Sequence, residues 1–184
     1  MDVADPLLCA GITVYAPMKD SNLIESPGKR IGIVGLGGLG HIAVKFGKAF
    51  GHHVTIISTS PNKEKEAKER LGKEKDSGLH FGYSFGPTLY WAYSKVNGTL
   101  VIVGAPEKPI DLPSHPLING KRVVKGSMIG SIKETQDMMD VCRKHNITCD
   151  IEIVRTENIN KALYRLIKND VKYRFVLDIA CESS

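Results

Sequence analysis

No run of about 18 consecutive apolar residues occurs anywhere in the chain, so no transmembrane helix is expected. The opening Met1-Asp2-Val3-Ala4-Asp5 is acidic and lacks the basic-then-apolar layout of a signal peptide. The expected location is therefore cytoplasmic. Cysteine is sparse: Cys9, Cys142, Cys149 and Cys181 show no CxxC spacing. That argues against a disulfide framework and against a self-contained zinc knuckle. The six histidines, His41, His52, His53, His80, His115 and His145, form no HxxxH or HExxH pair. Surface or turn roles are expected for each, with His52 and His53 sending their rings to opposite sides of a strand start. Charge of one sign is lacking too. The net +5 comes from 25 Lys and Arg against 20 Asp and Glu. In the densest stretch, residues 63–75, bases alternate with acids, and Glu64–Lys68, Glu66–Arg70 and Glu69–Lys73 are favourable i,i+4 pairs. This reads as a solvated helix face, and no nucleic-acid partner is expected.

What is present suits one globular domain with a real core: 184 residues, 42% hydrophobic and 24% charged. Residues 6–18 are an apolar run, with Pro6 placed for a first helical turn and Pro17 for an end or bend. Arg30-Ile31-Gly32-Ile33-Val34-Gly35 reads as a buried strand, followed by a helix from about Gly38 to Phe50 with Ile42, Phe46 and Ala49 on one face. Gly51 ends that helix. His53 to Ser58 is a second strand and residues 63–71 a second helix. This strand–helix–strand order is the βαβ unit of a parallel sheet. Further strands are expected at residues 99–104, 122–127 and 173–179, and helices at 133–144 and 159–168. Residues 73–93 show no clear strand where a doubly wound domain needs a third strand and another crossover. The expected fold is α/β, a Rossmann-type doubly wound parallel sheet that is incomplete near residues 73–93.

The chemistry sits at Gly35-Leu36-Gly37-Gly38-Leu39-Gly40, a GxGxxG match between strand and helix. There Gly35 permits a tight turn, Gly37 lets a pyrophosphate approach the backbone, and Gly40 lets helix and strand pack closely. Helix amides then face the phosphates. An NAD site usually places a carboxylate about 20 residues on, against the ribose 2′-OH. Here that place reads Ser58-Thr59-Ser60-Pro61-Asn62-Lys63, three hydroxyls and a lysine with no acid. These suit a 2′-phosphate. They equally suit a helix start with Ser60 as N-cap and Pro61 in the first turn, and both readings can hold together.

Pro6-Leu7-Leu8-Cys9-Ala10-Gly11-Ile12-Thr13, the Gly35–Gly40 motif, Ser58-Thr59-Ser60-Pro61 and Val103-Gly104-Ala105-Pro106-Glu107-Lys108-Pro109 closely resemble the plant cinnamyl alcohol dehydrogenases. Lys133-Glu134-Thr135-Gln136 and Val171-Lys172-Tyr173-Arg174-Phe175 extend the resemblance. It covers nearly the whole chain apart from about residues 73–93. Mannitol dehydrogenases and monoterpenoid or alkaloid reductases look similar. The family is zinc-dependent, medium-chain and NADP-using. The resemblance implies that Cys9 matches one ligand of a catalytic zinc and Thr13 a threonine beside the nicotinamide. It implies that residues 58–63 form the 2′-phosphate loop, that Gly104 follows a strand at the cofactor, and that Ser127, Met128 and Ile129 flank the nicotinamide near a dimer edge.

Two departures shape the expectation. The family has an N-terminal catalytic domain that supplies the other zinc ligands, a structural zinc lobe and a proton relay. A catalytic zinc needs about three protein ligands, so Cys9 alone is expected to be a partly buried free thiol. The gap near residues 73–93 removes the family's third strand and a strand carrying an Asp-Thr beside the cofactor. Residues 1–28 are then a remnant of the catalytic-domain junction. Residues 29–150 are the dinucleotide-binding domain, and 151–184 a segment that returns to the catalytic domain. The expected function is the NADP(H)-binding portion of an alcohol dehydrogenase or aldehyde reductase of plant phenylpropanoid metabolism. Its small-molecule substrates would be cinnamyl-type alcohols or related aromatic, allylic or terpenoid aldehydes. No catalytic residue is assigned, and no appreciable turnover is expected of the chain as given. The alternative is a non-catalytic module that binds dinucleotide or only dimerises. A zinc-free reductase of the same superfamily is disfavoured, because it would have no use for Cys9. A homodimer is expected through an edge strand at about 122–129, bearing Val123, Val124, Met128 and Ile129, and an exposed apolar face is expected to include part of residues 7–15.

Overall fold

In the computed structural model, residues 2–58, 62–71, 80–83, 95–105 and 109–179 are described. For residues 80–83, Asn62 and Glu66 the description covers the main chain only. After a 3₁₀ turn at Asp5–Leu8, with Pro6 in its first turn, α1 spans Ala10–Asp20. Pro17 neither ends nor interrupts it. Proline removes one helix hydrogen bond, and the helix runs on because residues 10–18 are all buried.

Two consecutive βαβ units follow. β1 (Arg30–Val34), α2 (Gly40–Ala49), β2 (His53–Ser58), α3 (Asn62–Leu71) and β3 (His80–Tyr83) form a parallel sheet in the order β1-β2-β3. In register, Ile33 lies opposite Ile56 and Ser58 opposite Tyr83. β3 corrects the expectation that residues 73–93 hold no strand. Its four residues contain a glycine and alternate poorly, which hid it. β1 is also corrected. Ile31 and Ile33 turn inward, whereas Arg30, Gly32 and Val34 are exposed. Among the described residues no element covers that second face.

Two more parallel pairs complete the described chain. β4 (Thr99–Ile102) pairs with β5 (Val123–Gly126) across α4 (Ser114–Gly120). After α5 (Ile132–His145), β6 (Ile151–Arg155) pairs with β7 (Arg174–Asp178) across α6 (Ile159–Ile167). α4 and β6 were not expected from the sequence. α4 is short and contains Pro116 and Gly120, and β6 alternates Glu152 with isoleucines on a half-buried ladder. α5 starts on a capping box, in which Glu134 N–H donates to Ser131 Oγ at 3.2 Å and Ser131 N–H donates to Glu134 Oε2 at 2.8 Å.

The core lies on both sides of α2. Ile42, Phe46 and Phe50 pack with Leu7, Ile12, Tyr15 and Met138, joining α1, α2 and α5. Val44 packs with Leu36, Val54, Ile56 and Ala67, joining α2 to the sheet and α3. Residues 7–15 are therefore an inner face rather than an exposed one. Leu7 is 1% and Tyr15 3% exposed, and only Leu8 and Cys9 of that run are exposed. The Glu64–Lys68 pair forms at 2.7 Å, while the expected Glu66–Arg70 and Glu69–Lys73 pairs involve side chains outside the described set.

The start of α2 leaves no room for a side chain at Gly40. A Cβ there would collide with the Gly35 carbonyl oxygen, which is backbone and cannot swing away. Gly40→Ala is expected to cost about 2–3 kcal/mol of stability, within the range for overpacked sites, measured by urea unfolding. A loss below about 0.5 kcal/mol would show that α2 can be lifted off β1 at little cost.

Candidate dinucleotide site

The glycine loop begins where β1 stops. Gly35 has φ +85°, a conformation that glycine alone adopts readily, and its N–H bonds Ile57 O of β2 at 2.8 Å. Leu36 is buried in the sheet-side core. At Gly37 a Cβ would meet nothing within 4 Å, so the loop is open to an approaching group there. At Gly38 a Cβ would stand 2.5 Å from Nε and 2.8 Å from Cζ of Arg174. Leu39 is the N-cap residue of α2 and packs on the helical core.

Arg174 was missed as a site residue by the sequence reading. It arrives from β7, more than a hundred positions downstream, and its guanidinium packs against Gly38. Its Nε is buried and has no hydrogen-bond partner among the described residues. A buried guanidinium nitrogen left unpartnered is costly, and the guanidinium packs on Gly38, the residue after the open Gly37. The signal in the sequence was a cationic residue opening an apolar run, too common to single out.

Of the residues expected to surround the 2′-phosphate, Ser58 ends β2 and is 7% exposed. Lys63 reaches back from α3, and its Nζ donates to Leu36 O at 2.9 Å. An ammonium has three donors, so this bond leaves two. Asn62 opens α3, and Thr59, Ser60 and Pro61 lie outside the described residues. The first carboxylate after β2 is Glu64, bonded to Lys68 at 2.7 Å. The glycine loop, Ser58, Lys63 and Arg174 therefore gather at the carboxyl ends of β1 and β2, where open parallel sheets take ligands.

The remaining expected residues form a second group. Thr13 is buried, and its hydroxyl donates to Cys9 O at 2.7 Å. Gly104 follows β4, and Ser127 N–H bonds Ile102 O at 3.0 Å. Met128 and Ile129 are 87% and 52% exposed. A Cβ on Gly130 would lie 2.8 Å from Ile12 Cδ1, so this segment touches α1 beside Thr13.

Cys9 is exposed, not partly buried as expected, because it sits at the cap between the 3₁₀ turn and α1 rather than on the inner helix face. Among the described residues no three His, Cys, Asp or Glu side chains gather. A single thiol does not meet the roughly three protein ligands a catalytic zinc needs, so no zinc chemistry is assigned to these residues.

Of the histidines expected in surface or turn roles, His41 departs from both, and His52 keeps a turn position between α2 and β2 but is buried. His52 is 5% exposed, and its Nε2 lies 2.8 Å from Leu23 O. His41, immediately after the motif, is fully buried. Its Nδ1 lies 3.0 Å from Gly37 O, and its Nε2 accepts from Asp150 N–H at 3.3 Å. With a backbone donor at Nε2, the proton sits on Nδ1 and the ring is neutral. Burial pushes its pKa down to about 4, with Lys45 and Arg174 adding to the shift and the Gly37 carbonyl and Asp150 opposing it.

The glycine loop at the end of β1, the amino end of α2 above it and the parallel crossovers define a Rossmann-type dinucleotide-binding unit. Residues 14–79 match the family described as D-isomer specific 2-hydroxyacid dehydrogenase, NAD binding domain. The chain is 56% identical to a probable cinnamyl alcohol dehydrogenase 6 of Oryza sativa subsp. japonica, over all of this chain and 56% of that protein. It is 50% identical to a probable mannitol dehydrogenase of Medicago sativa, over 98% of this chain and 55% of the relative. Among solved structures, a cinnamyl alcohol dehydrogenase from Sorghum bicolor superposes with a TM-score of 0.88 at 44% identity, covering 99% of this chain and 56% of that one. The CAD from Helicobacter pylori complexed with NADP(H) gives 0.82 at 32% identity, covering 97% and 55%. Over its whole length the chain is similar to plant cinnamyl alcohol dehydrogenases and mannitol dehydrogenases. It spans about half the length of the curated relatives it matches. The rice match runs over 205 residues, more than the 184 here, so that relative carries residues with no counterpart in this chain.

The depressed pKa of His41 makes an acid-stability prediction. An unfolded histidine titrates near 6.5 and the folded one near 4, so between these values the unfolded chain binds more protons. The contribution is complete above pH 6.5 and is lost as pH falls toward 4, by on the order of 3 kcal/mol. Urea unfolding across that range should show the slope, and His41→Phe, which cannot titrate, should flatten it. An unchanged slope in the variant would place the titration elsewhere.

Proposed function

We propose that this chain binds NADP(H) and forms the cofactor-binding portion of an alcohol dehydrogenase or aldehyde reductase. The observation that carries the reading is the Arg174 guanidinium against Gly38, beside the open Gly37 and the amino end of α2. A diphosphate there would meet helix amides and a charge-assisted donor together. The preference for NADP(H) over NAD(H) rests on Ser58 and Lys63, with Thr59, Ser60, Pro61 and Asn62 between them, and on the lack of a carboxylate before Glu64. The NADP(H) complex of the Helicobacter pylori relative supports it. Thr13, Gly104, Ser127, Met128 and Ile129 would then adjoin the nicotinamide, which supplies or accepts the hydride. The protein's part is to bind and orient it.

The substrate class proposed is cinnamyl-type alcohols or related aromatic, allylic or terpenoid aldehydes, on the names of the relatives, which include an 8-hydroxygeraniol dehydrogenase. The isolated Cys9 supports a second reading, in which these residues bind dinucleotide without turnover. Titration of the 184-residue chain should show tighter binding of NADPH than NADH. Lys63→Ala should erode the preference by about 1–2 kcal/mol, on the scale of a charge-assisted hydrogen bond. Equal affinities for the two cofactors would sink the 2′-phosphate assignment.

A homodimer is part of the same proposal. Among the described residues β5 pairs only with β4. Val123 and Ile129 are about half exposed, Met128 is 87% and Ile132 92% exposed. An open strand edge beside apolar side chains favours pairing with a second copy. Sedimentation at tens of micromolar is expected to show a dimer or larger species, and a stable monomer would overturn the edge pairing.

A further inference from the structure

His41 holds two separate parts of the chain at once. On one side its Nδ1–H meets the Gly37 carbonyl in the glycine loop at 3.0 Å. On the other its Nε2 accepts from Asp150 N–H at 3.3 Å, 109 positions along the chain. Its ring face stacks on Tyr173, with centroids 4.6 Å apart and planes 19° apart. Tyr173 N–H in turn bonds Asp150 O at 3.0 Å. Asp150 and Tyr173 immediately precede Ile151 and Arg174, the first paired residues of the β6–β7 ladder. The hydrogen bond and the ring stack beyond the loop therefore both fall on residues adjacent to that pair. Lys45, one turn along α2, fastens the same place from the side, with Nζ 2.6 Å from Asp150 Oδ1 and 2.8 Å from Thr148 O.

We propose that His41 is a positioning residue for dinucleotide binding: a neutral strut that fixes the start of the β6–β7 ladder, and with it the Arg174 guanidinium, at a set distance from the glycine loop. The inference rests on the cofactor reading above. The strut needs a donor at one end and an acceptor at the other on a rigid frame, which neutral imidazole supplies and no aliphatic or singly functional side chain does. Protonation would turn the acceptor into a second donor facing Asp150 N–H. The charged groups facing the ring are Lys45, Asp150 and Arg174, and its burial keeps it in the neutral form at neutral pH. Arg174 is held by packing against Gly38 and leaves Nε unspent, so its aim depends on where the ladder begins.

The test is a set of NADPH affinities, measured by fluorescence titration at 25 °C on variants shown to be folded by circular dichroism. His41→Phe keeps the ring volume and the stack on Tyr173 but removes both hydrogen bonds. It should weaken binding about tenfold, the scale of one lost charge-assisted contact. Arg174→Ala should weaken it by a similar factor, and the double variant should be no weaker than Arg174→Ala alone, because the two residues act through one contact. His41→Asn keeps reach to Gly37 and His41→Gln keeps reach to Asp150. Each should fall within about threefold of His41→Phe, since a strut needs both ends, and these two variants carry the test if His41→Phe does not fold. Losses that multiply in the double variant, or wild-type affinity in His41→Asn, would overturn the coupling. A purely architectural role would lower the melting temperature and leave the affinity of the folded protein unchanged, which also refutes it. If the wild-type chain binds neither NADPH nor NADH, the cofactor reading itself fails and the inference with it. Wild-type binding with an unaltered His41→Phe variant sinks the inference alone.

Discussion

The structure depends on one close approach, the amino end of α2 laid directly on the end of β1. Two absent side chains permit it. A Cβ at Gly40 would strike the Gly35 carbonyl, and one at Gly47 would stand 2.6 Å from Ile31 Cδ1 and 2.9 Å from Val54 Cγ2. With α2 seated, Val44 faces the sheet while Ile42, Phe46 and Phe50 face α1 and α5. The same contact holds the first helix amides beside the glycine loop, so packing and the proposed diphosphate site have one cause. The Tyr15, Phe46 and Phe50 rings, with centroids 5.6 to 6.4 Å apart, lock the far side of the helix.

The first half of the fold was legible because its signals are local. A glycine run between two apolar strands, a helix with a continuous buried face and Gly51 at its end fixed β1, α2 and β2 to within two residues. The hidden elements owe their form to distant partners. β3 is four residues of weak pattern that become a strand by pairing with β2. β6 becomes one by pairing with β7. The exposed face of β1 could not be read either, because Ile-Gly-Ile-Val looks the same whether one side or both are covered.

The candidate site divided in the same way. The glycines and the run after Ser58 were visible from spacing and from the missing carboxylate. Arg174 was not, because its role comes from tertiary placement: a side chain entering from the last strand to lie on Gly38. His41 was misjudged for a related reason. A histidine beside a glycine loop reads as a turn residue until Asp150 and Tyr173 close over it. Cys9 shows the converse, a residue whose expected chemistry needs partners that the described residues do not gather.

The three parallel sheets among the described residues differ in how they are supported. The β1–β2–β3 sheet rests on α2 and shares its core with two further helices. Among the described residues the β4–β5 and β6–β7 sheets have two strands each, and two strands alone are marginal in water. Leu163, Tyr164 and Leu166 of α6 are more than half exposed, so that helix adds little cover to its own ladder. Stability is then graded along the chain. Amides of α2 and β2 would exchange with solvent only on global unfolding, whereas those of β5 and β7 would exchange through local opening. Arg174 lies at the near end of a ladder that opens in this way, so a bound anion would slow exchange in a strand distant in sequence from the glycine loop.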